Sequence, residues 1–106
     1  MNQLEQDLKK IFNLIKINDF SRAKKELEIN LNLHPNNYII VFLLGIISIN
    51  SKNFLEAKSF FQKTIFLNPD YAESYNNLGI CYEKLNDNFN AKKRHAVEVT
   101  PRITYE

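Results

Sequence analysis

The chain has 106 residues, enough for one domain and too few for two. A hydrophobic fraction of 44%, with eight Phe and five Tyr, excludes a disordered chain. Two Gly, three Pro, one Cys and a net charge of +2 exclude a turn-rich all-β protein, a disulfide scaffold and a multi-cysteine zinc site, and leave no concentrated basic surface for nucleic acid.

The opening MNQLEQDLKK places acids before any apolar run, unlike a secretory signal. Leu4, Leu8, Ile11 and Ile15 then mark one face of a first helix. Asn18-Asp19 breaks it, and Phe20, Ala23, Leu27 and Leu31 stripe a second helix that ends before Pro35, with His34 at or past its end. A third helix is predicted over Asn37–Asn50. Its apolar run, Tyr38 to Ile49, is twelve residues long. A membrane span needs about 20, so the run reads as a helix buried on most sides and the expected location is cytoplasmic. A fourth helix follows over Phe54–Leu67 before Pro69. A fifth spans Tyr71–Lys84, a break is expected at Asn86-Asp87-Asn88, and a sixth starts near Phe89. Six helices joined by short turns make consecutive antiparallel hairpins.

One interval recurs through these elements. It separates Pro35 from Pro69, Gly45 from Gly79, Phe20 from Phe54, and each of Ala23, Ala57 and Ala91 from the next. A shared period of about 34 residues is the length of one helix-turn-helix repeat. The third repeat carries Tyr75-x2-Leu78-Gly79-x2-Tyr82 and then Ala91. The second carries Val41-x2-Leu44-Gly45-x2-Ser48, Ala57-x3-Phe61 and Pro69. The first is looser, with Ile11 in the glycine slot but Ala23-x3-Leu27 and Pro35 in place. These motifs resemble the tetratricopeptide repeat family over about residues 4–101. The resemblance implies an all-α, right-handed α-solenoid of about three helix-turn-helix hairpins, the last one incomplete. The whole chain, 1–106, then forms a single domain with repeats at about 4–36, 37–70 and 71–101. The small residues Gly45, Gly79 and the alanines are expected where the two helices of a hairpin approach closely.

The third repeat departs from the pattern. Ala91 and Pro101 are ten residues apart, where the two earlier repeats have twelve. Two missing residues rotate the apolar stripe by about 200°. The last helix is therefore expected to end early, near Arg94, leaving an irregular tail over 95–106. The polar helix that normally caps such stacks is lacking, which points to a longer protein or to an end covered by another chain.

No catalytic constellation emerges. Cys81 lies mid-helix in LGICYEKL without a loop or helix start to activate it, and reads as a packed thiol. His34 and His95 have no partner at metal-ligand spacing, and no glycine-rich phosphate loop exists, so neither a metal nor a cofactor is expected. The basic clusters Lys9-Lys10, Arg22 with Lys24-Lys25, and Lys92-Lys93-Arg94 are interleaved with acids. They read as solvated helix faces, so neither nucleic acid nor membrane is expected as a partner.

The family resemblance implies a non-enzymatic protein–protein interaction module, a scaffold whose first helices line a concave groove for a peptide or partner helix. Carried onto this chain, the groove takes Leu8 and Phe12 from repeat one and Ile39, Phe42, Leu43, Ile46 and Ile49 from repeat two. From repeat three it takes Glu73, Asn76, Asn77, Ile80 and Lys84. The carboxylate clamp of heat-shock co-chaperones is absent, because its slots hold Leu8, Phe12, Leu43, Glu73 and Asn77. Of the asparagine ladder known from O-linked N-acetylglucosamine transferase, only Asn77 has a counterpart. Such repeats also precede catalytic domains, so the alternative is the N-terminal repeat segment of a larger glycosyl- or sulfotransferase. Because helix three is apolar on every side, Ile39, Phe42, Leu43, Ile46 and Ile49 are expected to form an exposed patch beside Leu8 and Phe12, covered by a second copy in a homo-oligomer, with a partner helix or the chain's own tail around Ile103 and Tyr105 as the alternatives.

Overall fold

Asparagine and aspartate start the helices. Their short side-chain oxygens accept from backbone N–H groups that the first turn leaves unpaired. In the computed structural model, which describes residues 2–93 and the side chains of residues 2–86, Asn2 caps α1 (Gln3–Lys16) in a reciprocal box with Glu5. Asp19 accepts from Arg22 N–H and caps α2 (Phe20–Leu33). Asn37 accepts from the N–H groups of Ile39 and Ile40 at 2.9 and 3.2 Å and caps α3 (Tyr38–Asn50). Asn53 accepts from Glu56 N–H and caps α4 (Phe54–Leu67). The α5 helix spans Ala72–Lys93.

The turns within the first two hairpins share one geometry. Asn18 and Lys52, one repeat period apart, both adopt left-handed backbone, with φ of 63° and 62°. Asparagine accepts this conformation readily, while lysine does so at a cost of about 1 kcal/mol. Each helix packs on the next in chain order, as a helical solenoid requires, and no strand occurs among the described residues.

Ile11, Leu14, Ala23, Leu27, Ile40, Leu44, Ile47, Ala57, Phe61 and Cys81 form one continuous core through the stack. Phe42 wedges between the rings of Phe61 and Tyr71, at centroid distances of 5.5 and 5.0 Å. Asn30 and Thr64, again separated by one period, are buried polar residues satisfied locally. Each donates from its side chain to the carbonyl four residues back, Asn30 to Glu26 and Thr64 to Phe60.

Two expectations need correction. The break at Asn86-Asp87-Asn88 does not occur, and α5 runs on to Lys93 as one helix of 22 residues. Asn and Asp cost a helix at most about 0.7 kcal/mol each relative to Ala, and no Gly or Pro stands there to stop it. The slot that holds Phe20 and Phe54 at the start of α2 and α4 holds Asn88. The second correction concerns Gly79. Gly45 does sit in a close helix approach, but Gly79 is exposed, with nothing within 4 Å of where a Cβ would stand. Among the described residues, no helix stands over Gly79 as α4 stands over Gly45, because α5 runs on straight. Residues 94–106, including the helix end expected near Arg94, His95 and the expected tail, lie outside the described residues.

Candidate functional site

The first helices of the two hairpins, α1 and α3, and the long α5 carry the residues assigned to a groove. On α1, Leu8 is half-buried against the core, and Phe12 stands 49% exposed. On α3, Ile39, Ile46 and Ile49 are half-buried and pack against the core. Phe42 and Leu43 are not exposed as expected: they retain only 7% and 5% of their surface. Both flanks of α3 are occupied, by α2 on one side and α4 on the other, and the Tyr71 ring closes over Phe42. The broad apolar patch anticipated on α3 is therefore reduced to the half-buried isoleucines.

On α5, Glu73, Asn76, Ile80 and Lys84 are exposed and Asn77 is half-buried. The Asn77 amide donates to the Glu73 carbonyl at 2.8 Å, which turns it along its own helix. A backbone-gripping role would require that bond to be exchanged for one to a ligand. Two basic residues are already engaged with acids: Lys10 lies 3.2 Å from Glu26, and Arg22 lies 3.6 Å from Asp19. Both pairs are exposed, and each is worth little in stability.

A tyrosine that the residue pattern did not single out occupies the junction of repeats two and three. Tyr71 packs edge-on to Tyr38 at 5.1 Å and to Phe42 at 5.0 Å. Burial raises its phenol pKa above the usual value, and the negative charge of the neighbouring Glu73 carboxylate adds to the shift. Its signal was present in the paired strings HPNNY and NPDY, which place a tyrosine just after each inter-repeat proline.

Residues 60–93 match the sequence profile of the tetratricopeptide repeat family. The chain carries a tetratricopeptide repeat. The matched span begins inside α4, crosses the turn at Asn68–Tyr71 and ends with α5. No curated protein matches the chain. Tetratricopeptide repeats are typically non-catalytic and generally bind proteins or peptides. No described helix is long and apolar enough to cross a membrane, and no group of three or more His, Cys, Asp or Glu among the described residues is placed to hold a metal.

Within this repeat, Cys81 is fully buried. Burial pushes its thiol pKa above the ordinary value of 9.0, and the positive charge of Lys58 offsets part of that rise. The thiolate is thus scarcer in the folded chain than in the unfolded one. Native protein is expected to react with an alkylating reagent far more slowly than denatured protein at neutral pH. Because the folded pKa is raised, the stabilisation is complete below the unfolded thiol pKa and fades as pH climbs through the folded one. Labelling of the native chain as fast as that of a free thiol would contradict this packing.

Proposed function

We propose that the chain is a protein-interaction module whose three repeats act as one domain, taking a peptide or partner helix along α1, α3 and α5, and that it self-associates. The reading is carried by one observation: a tetratricopeptide repeat chain keeps Phe12 and Ile80 in solvent on its first helices, beside the half-buried Ile39, Ile46 and Ile49. Such a surface suits an amphipathic ligand. Its apolar side chains would meet α1 and α3, and its polar ones would meet Glu73, Asn76, Asn77 and Lys84 on α5.

Peptide display against the immobilised chain tests this. The wild-type protein is expected to enrich a family of apolar-anchored peptides. Phe12→Glu and Ile80→Glu, both at exposed positions that leave the fold intact by circular dichroism, are expected to lose them. A charge placed at exposed Ile29 on α2 is expected to have no effect. Enrichment that survives both α1 and α5 substitutions would defeat the assignment.

A further inference from the structure

Residues one period apart stand in line when like hairpins stack, and α1, α3 and α5 hold two such lines side by side. The first is apolar: Phe12, Ile46 and Ile80 are each one period from the next. Phe12 and Ile80 are exposed and Ile46 is half-buried. The second, one helical turn further along, is Lys16, Asn50 and Lys84, all exposed. Among the described residues neither lysine has a carboxylate partner, whereas Lys10 and Arg22 are paired with Glu26 and Asp19. The acids of the same face sit at its other end and are engaged. Glu5 accepts from the Asn2 N–H at 3.2 Å, and Glu73 lies beside the Tyr71 phenol. The preference of helix ends for charge accounts for part of this, since Glu5 and Glu73 open their helices and Lys16 closes α1. It does not account for Lys84, which stands well inside a helix that runs to Lys93. Exposed Glu83 belongs to a different line, that of Ile15 and Ile49. The middle helix, α3, carries no charge to offset the two lysines.

We propose that the partner of this groove is an acidic amphipathic helix, which sets an apolar stripe on Phe12, Ile46 and Ile80 and a flanking row of Asp or Glu side chains against Lys16 and Lys84. The inference rests on the groove of the reading above and deepens it by naming the chemistry of what the groove takes. Two parallel lines, one apolar and one basic, require a ligand that shows two adjacent rows on one face. A helix does so, because side chains at i, i+3, i+4 and i+7 fall together, while a strand turns alternate residues away. A lysine without a partner gives up no ion pair when it meets a carboxylate. Such pairs at the rim of an interface add mainly to selectivity and to the rate of capture. Asn50, between the two lysines, can donate its amide to the same carboxylates. Exposed Lys9 on α1 adds to the positive side.

Fluorescence anisotropy with three synthetic peptides tests the proposal. They share one leucine stripe on a helix-forming background and differ only in the residues flanking it on one side, which are Glu, Gln or Lys. The wild-type chain is expected to bind the Glu peptide more than about tenfold tighter than the Lys peptide, with Gln between. The gap is expected to close as salt rises from about 0.05 M to about 0.5 M. Lys16→Glu combined with Lys84→Glu is expected to reverse the order. Lys24→Glu combined with Lys25→Glu makes the same change of net charge on α2 and is expected to leave the order unaltered. That pair separates the groove from a general attraction of acids to a chain of charge +2. All four lysines are exposed, so the variants are expected to keep their helical circular dichroism. Phe12→Ala is expected to weaken all three peptides. Equal binding of the three by the wild type, weakened by Phe12→Ala, would keep the groove and overturn its preference for acid. An acid preference that outlasts Lys16→Glu with Lys84→Glu, or that Lys24→Glu with Lys25→Glu removes, would overturn the assignment to these lysines. Binding of none of the peptides would overturn both readings. Should the Lys16→Glu and Lys84→Glu variant fail to fold, the wild-type order and its response to salt decide.

Discussion

Gly45→Leu is expected to remove most of the cooperative thermal transition. A Cβ at this position would lie 2.6 Å from Phe61 Cε1 and 2.7 Å from Cζ, closer than any packed carbon pair. The aromatic ring has nowhere to retreat, because Phe61 is fully buried and packs at a tilt, 5.5 Å between centroids, against Phe42. Even Ala would force the α3–α4 pair apart, and Leu adds three further carbons to the same gap. Overpacking of this kind costs roughly 1–3 kcal/mol and occasionally more, and the severity of the clash puts Leu at the upper end. Ala57→Leu, at a fully buried alanine on α4, belongs to the same class. A melting curve unchanged by either substitution would show that α3 and α4 are not paired as described.

The second large effect is expected from the other side of the same contact. Phe61→Ala removes a fully buried ring from the centre of the stack and should cost about 3–5 kcal/mol. That is a large share of the total stability of a domain this size, roughly 5–15 kcal/mol. The two positions are also expected to be coupled. Phe61→Leu is shorter and gives room for a methyl group at Gly45, so Gly45→Ala should be far less damaging in that background. Double-mutant analysis by urea denaturation should show a favourable interaction of about 0.5–3 kcal/mol. Strict additivity would mean that the steric conflict is relieved elsewhere.

Much of this arrangement is legible in the residues themselves. Four of the helix starts coincide with side chains that can cap them, and the two prolines bound the inter-repeat turns. The period also identifies Gly45 as a contact glycine. It misleads at Gly79, where the same residue in the same phase meets no partner helix among the described residues. A period records what a position is compatible with, and the contact itself needs the second element to be present. The run Asn86-Asp87-Asn88 illustrates the same limit, since weak helix formers break a helix only when a competing hairpin rewards the break. On α3, an apolar run without periodicity could not show which residues meet a neighbour. Burial of Phe42 depends on Tyr71, which lies outside α3, in the turn that leads into α5.

The position of α3 has a bearing on how the chain survives damage. It carries no charged residue, and it is covered by α2 on one side and by α4 on the other. In a stack held by nearest-neighbour contacts, the end helices open first and most often. Each opening of the first hairpin bares part of an uncharged segment of isoleucine, leucine and phenylalanine, the composition that seeds intermolecular β-pairing. Proteolytic loss of α1 and α2 would make that exposure permanent. The remaining fragment would keep most of its helical residues and still leave solution, so the outer hairpin acts as a guard on the centre as well as a repeat in its own right.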